Sequence, residues 1–166
     1  MQLSEELMTM FPDLTYKIES TMPDSQKGLL INDVIYLNPN QERYEMNSTL
    51  AEELGHYLTS YGNIVLQDTN EKRKQERRAR DIGATLVVTP YDIINCFEDG
   101  CRTVLDCAVY LEISEETFKD AVKYYARRFT GIKTENNYTL LFQADGTVAV
   151  LKSFNSFRKR CTDVCI

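Results

Sequence analysis

The apolar pattern of this chain changes period between Asn38 and Tyr44, and that change limits the fold class more than any other feature. Upstream, YKIES (16–20), KGLLIND (27–33) and VIYLN (34–38) are short runs rich in β-branched and aromatic residues, which read as strands. Asn32-Asp33, between the last two, marks a tight hairpin. Downstream, Leu50, Leu54, Tyr57, Leu58 and Tyr61 recur at helical spacing, and Gly62-Asn63 supplies a stop. Strands followed by an amphipathic helix imply an α+β fold.

The remaining elements extend this pattern. Residues 3–10 predict a short first helix. Asp68 and Glu71 offer a capping box for a third helix, which runs through EKRKQERRARDIGATLVV (71–88) and stops before Pro90. Residues 104–129 read as a helix, a short turn at Glu112–Ser114, and a second helix with Phe118, Ala121, Val122 and Tyr125 inward, a helix-turn-helix pattern. YTLLFQADGTVAVLKSF (138–154) alternates apolar and polar residues about Asp145-Gly146, a strong hairpin signal. No repeat or Pro/Gly linker separates these pieces. Residues 1–90 are therefore taken as the core domain and 91–166 as a helical subdomain ending in a β-hairpin.

Composition narrows the partners. A length of 166 residues with 43% apolar content suffices for one compact core. With no charged-then-apolar leader and no apolar run near the roughly 20 residues that span a bilayer, a soluble, cytoplasmic protein without membrane partners is expected. The five cysteines, Cys96, Cys101, Cys107, Cys161 and Cys165, all lie in the C-terminal half and do not frame a stapled fold, so reduced thiols are expected. A net charge of −6 argues against nucleic acid and favours a protein partner.

The chemical signal lies in the second helix, which carries the only histidine of the chain. In EELGH (52–56), Glu52 and His56 are four residues apart and share a helical face, as two metal ligands on one helix must. Glu53 lies beside that face, where a carboxylate can take a proton from an attacking water. The pattern is HExxH with glutamate in place of its first histidine. Two simpler roles compete for Glu52: a capping box with Thr49, or an ordinary pair with His56. A third ligand must come from another element, and the phase of Glu76 puts it on the stripe of Ala79, Gly83 and Leu86, whereas Arg77, Arg78 and Arg80 point mostly elsewhere. A carboxylate on such a stripe needs a cation or hydrogen-bond donors; a neighbouring arginine would also serve.

The segment MNSTLAEELGHYLTSYGNIV (46–65), with KQERRARDIGATLVV (74–88) after a short loop, resembles the ImmA/IrrE family of metallo-endopeptidases, particularly its short phage and mobile-element members. KGLLINDVIYLN upstream and ISEETFKDAVKYYARRF downstream extend the likeness over residues 15–130. The resemblance implies a zincin-like core, a small antiparallel sheet plus the motif helix, followed by a helix-turn-helix-like subdomain. It implies Glu53 as the catalytic glutamate, His56 as the second motif histidine and Glu76 as the third ligand. It also implies a helix-turn-helix repressor as partner or substrate, and so an antirepressor role. Glutamate at 52 departs from the motif. Two carboxylates with one imidazole still hold a divalent ion, zinc by family resemblance, but shift preference toward manganese or iron and lower the available Lewis acidity. Slower proteolysis, or a binding module that has lost turnover, is the implied consequence.

Other features have simpler explanations. EKRKQERRAR mixes charge signs and reads as a solvated helical face. The acidic turn from Glu112 to Glu116 would repel a phosphate backbone, so the helix-turn-helix reads as a protein-binding or packing element. Cys96-x4-Cys101 and Cys161-x3-Cys165 lack the companion histidines of a structural zinc site. Tyr57 and Tyr61 read as core residues.

Overall fold

The computed structural model describes residues 2–59 and 69–153, together with the backbone of 163–165. Gly62-Asn63, Tyr61, Asp68 and the side chains of Cys161 and Cys165 lie outside these described residues. The chain divides into two compact units, Met1–Val87 with Glu112–Ser114, and Val88–Leu111 with Glu115–Ile166.

The first unit contains α1 (Leu3–Met10), β1 (Thr15–Ile18), β2 (Gly28–Ile31), β3 (Val34–Leu37), α2 (Arg43–Thr59) and α3 (Thr69–Val87). Asn32 and Asp33, with φ of 48° and 61°, form the two-residue turn that joins β2 to β3. The strand order is β1-β3-β2. β2 pairs antiparallel with β3, but β1 runs parallel to β3, so the small sheet is mixed and not wholly antiparallel as expected. Alternating apolar residues mark strands without naming their neighbours; here the connection 19–27 lets β3 lie between β1 and β2.

Helix α2 packs on α1, β2, β3 and α3. Leu50, Ala51 and Leu54 are fully buried on it, against Ile35 and Leu37 of β3 and Ala79, Ala84 and Val87 of α3 in the same core. Each fully buried leucine or isoleucine contributes roughly 1.5–3 kcal/mol through apolar burial. Leu58 departs from the expected apolar face and is 43% exposed near the helix end. The turn at Glu112–Ser114 is held to α2: Asn47 Nδ2 donates to the Glu112 carbonyl at 2.8 Å, and the Ser114 amide donates to Ser48 Oγ at 2.9 Å. Buried Asn47 is thereby satisfied.

The second unit contains α4 (Pro90–Glu98), α5 (Val104–Tyr110), α6 (Glu115–Arg128) and an antiparallel sheet of β4 (Ile132–Lys133), β5 (Tyr138–Phe142), β6 (Val148–Lys152) and β7 (Asp163–Cys165), in that order. Phe118, Ala121, Val122 and Tyr125 form the buried face of α6. They share the core with Tyr138, Leu140, Phe142, Val148 and Val150, the alternate residues of β5 and β6. The Tyr125 hydroxyl donates to the Val88 carbonyl at 2.8 Å. Helix α4 is not among the helices expected from apolar spacing. Its local chemistry specifies it: Thr89 and Asp92 form a reciprocal capping box, and Pro90 sits in the first turn. Among the described residues no helix is long and apolar enough to cross a membrane.

Candidate metal centre

The candidate residues meet where α2 and α3 cross. α2 begins at Arg43, six residues before Thr49, so Thr49 is no helix cap; its hydroxyl donates to Gln41 Oε1 at 2.8 Å. That removes the capping-box role for Glu52. Glu52 and His56 stand one turn apart on α2, and Glu76 enters from α3. One ligand atom from each of these residues lies within 4.8 Å of the others, and His56 Nε2 is 3.4 Å from Glu76 Oε2. Metal–ligand bonds of about 2.1 Å in tetrahedral geometry place neighbouring ligand atoms about 3.4 Å apart. Two carboxylates and an imidazole are also hard and borderline donors suited to a divalent ion. The donor set therefore fits such an ion.

Glu76 is not buried as its helical phase suggested: its side chain is 62% exposed. The apolar seam between α2 and α3 starts at Ala79, whose backbone faces Gly55. One turn earlier the same face of α3 opens into the cleft. The case for a cation at Glu76 thus rests on its proximity to Glu52 and His56, not on its desolvation. Arg80 also differs from expectation. Its Nε lies 3.4 Å from Glu52 Oε1, because position 80 is one turn beyond position 76 and stays near the same face. Both partners are substantially exposed, and such a pair contributes on the order of 1 kcal/mol or less.

Glu53 occupies a different environment. It is largely buried between α2 and β2, where the Leu30 amide bonds its carboxylate. Burial pushes this carboxyl up to about 7, the charges of Glu52 and Glu76 push in the same direction, and the Leu30 amide opposes them. Gly28, a residue the sequence reading did not single out, makes the fit. A methyl there would stand 2.7 Å from Glu53 Oε1 and 2.6 Å from Thr49 Cγ2. The only sequence signal was a glycine inside a strand, which marks a close approach of backbone to a neighbour. These residues line a cleft of about 520 Å³, walled on one side by Gly28, Leu29 and Leu30 of β2. β2 is one of the two edge strands of its sheet.

A helix pair here gathers two carboxylates and an imidazole beside an edge strand, within a mixed α+β unit. The family comparison supplies the class: the model of the IrrE N-terminal-like domain of the M78 peptidases matches residues 7–123. The chain belongs to that family, and the match extends from α1 into α6. Comparison with curated protein sequences gives no match. Membership brings a metallopeptidase-type function and a divalent metal.

Proposed function

We propose that this protein is a metal-dependent endopeptidase in which Glu52, His56 and Glu76 hold one divalent ion and Glu53 is the general base. The observation that carries the reading is the convergence of the first three within 4.8 Å, with Glu53 next to them in the same cleft. A bound ion supplies Lewis acidity toward a scissile carbonyl and activates water. Glu53, held by the Leu30 amide, would act as the general base toward an attacking water in the cleft and then return the proton to the leaving amine. β2, an edge strand beside the cleft, offers main-chain groups to an extended peptide, which orients the scissile bond. The substrate is a helix-turn-helix repressor, and its removal makes the protein an antirepressor of phage or mobile-element type, acting in the cytoplasm.

One observation favours a second reading, a binding module with weakened or lost turnover: the departure from the motif at Glu52 places a carboxylate there, and Arg80 already contacts it. The two readings separate by experiment. The purified protein is assayed for bound metal and for cleavage of a helix-turn-helix repressor, before and after chelation. The peptidase reading expects fragments that vanish with chelator and return with zinc, manganese or ferrous ion. Derepression without fragments, unaffected by chelator, supports the binding module.

A further inference from the structure

A second cluster of ligating groups lies wholly within the second unit and takes no part in the cleft. Cys96 on α4, Cys101 in the following loop and Cys107 on α5 are all buried, with exposures of 0%, 8% and 0%. One sulfur from each lies within 4.8 Å of the other two, and none is in a disulfide. The backbone fixes this convergence. The Cys101 amide donates to the Cys96 carbonyl at 2.9 Å, and Arg102 Nη1 donates to the Cys101 carbonyl at 2.8 Å. Thr103 and Asp106 form the capping box that starts α5 one turn before Cys107.

Three soft donors aimed at one point suit a thiophilic ion in three-coordination. A fourth imidazole ligand is ruled out, since the only histidine of the chain is His56 in the other unit. Charge selects among such ions. The Arg102 guanidinium beside the cluster is directed to the Phe97 and Cys101 carbonyls and lies over the Phe97 ring. Three thiolates leave a net negative charge with zinc(II) or copper(I), and burying that charge is unfavourable. A trivalent centre gives a neutral complex.

We propose that Cys96, Cys101 and Cys107 form a trithiolate site for a trivalent thiophilic metalloid, of which arsenic(III) is the simplest. Arsenous acid exchanges three As–O bonds for three As–S bonds; each thiol proton leaves with a hydroxyl group as water, and no oxidation state changes. Loading ties α4, the loop and α5 together, so the bound protein resists heat more than the free one.

The test uses the full reduced chain carrying Cys161→Ser and Cys165→Ser, which leaves only these three thiols. Sodium arsenite is titrated in and followed by the sulfur-to-arsenic absorption band and by intact mass. The expected result is one arsenic per chain, a mass gain of arsenic less three protons, and loss of all three reactive thiols. Cys101→Ser, in the loop, should weaken binding by about 100-fold or more, as expected when one arm of a chelate is cut. If that variant fails to fold, the mass of the parent complex alone decides. Arsenic retaining a hydroxyl on two sulfurs, unchanged affinity in Cys101→Ser, or one zinc(II) bound with arsenite excluded would overturn the proposal.

Discussion

Gly55 of α2 and Gly83 of α3 face each other where the two helices cross. A methyl group on Gly55 would stand 2.0 Å from the Ala79 carbonyl oxygen and 2.8 Å from the Gly83 nitrogen; one on Gly83 would stand 2.3 Å from the Ala51 carbonyl oxygen. The pair brings the helix backbones close enough for Glu76, seven residues before Gly83, to reach His56, which follows Gly55 directly.

Gly55→Ala or Gly83→Ala should therefore force the helices apart. The gain in helix propensity, about 1 kcal/mol at most, does not offset overpacking against backbone, which costs about 3 kcal/mol. Denaturant unfolding should show the net loss of stability, and calorimetric titration should show metal affinity falling with it. An alanine variant as stable as wild type would mean that the helices do not approach this closely.

Glu52→His should complete a set of two imidazoles and one carboxylate and raise zinc affinity relative to manganese, because imidazole suits zinc better and leaves the complex less anionic. It also removes the carboxylate that Arg80 contacts. Titration with both ions measures the change. Unchanged binding of both would show that residue 52 is not a ligand.

Glu53 makes a prediction for chelator-treated protein. Its carboxyl is raised from 4.5 to about 7 in the folded state, so between these values the unfolded chain releases its proton first. Stability then falls as pH rises from about 4.5 to 7, by up to about 3 kcal/mol. Glu53→Gln, which cannot ionise, should lack this dependence and be the more stable protein at pH 8 without metal. Parallel stability curves for the two proteins between pH 4 and 8 would contradict the burial of Glu53.

Gly28→Ala tests the other side of Glu53. The added methyl displaces the carboxylate from the Leu30 amide while leaving the three candidate ligands in place. Cleavage should drop at least tenfold with metal affinity within about twofold of wild type, a loss on the order of 1.4 kcal/mol in the barrier. Equal losses in both would indicate that the whole cleft has shifted.

The legible parts of this protein were those written in local chemistry. The Asn32-Asp33 turn, the α2 face of Leu50 and Leu54, the α6 face and the alternation of β5 and β6 each depend on neighbours within a few residues. Glu52, Glu53 and His56 were visible for the same reason, lying within five consecutive residues of one helix. Pairing was not legible: nothing in residues 15–18 says that β1 takes β3 as a parallel neighbour. Neither was the exposure of Glu76, because helical phase gives a direction but not where the packed seam ends. Helix α4 was legible in Thr89, Pro90 and Asp92, a signal that apolar spacing overlooks. The clustering of Cys107 with Cys96 and Cys101 depends on the fold between α4 and α5, so spacing alone could not show it.

The central claim is that Glu53 moves the proton for a reaction at an ion held by Glu52, His56 and Glu76. Co-expression of the protein with a helix-turn-helix repressor, the proposed substrate, comparing wild type, Glu53→Gln and His56→Ala, tests it most directly. Fragments of the repressor should appear with wild type alone, while purified Glu53→Gln retains its metal and cleaves roughly 100-fold more slowly or worse. Derepression that persists in Glu53→Gln, with no fragments from any of the three proteins, would contradict it.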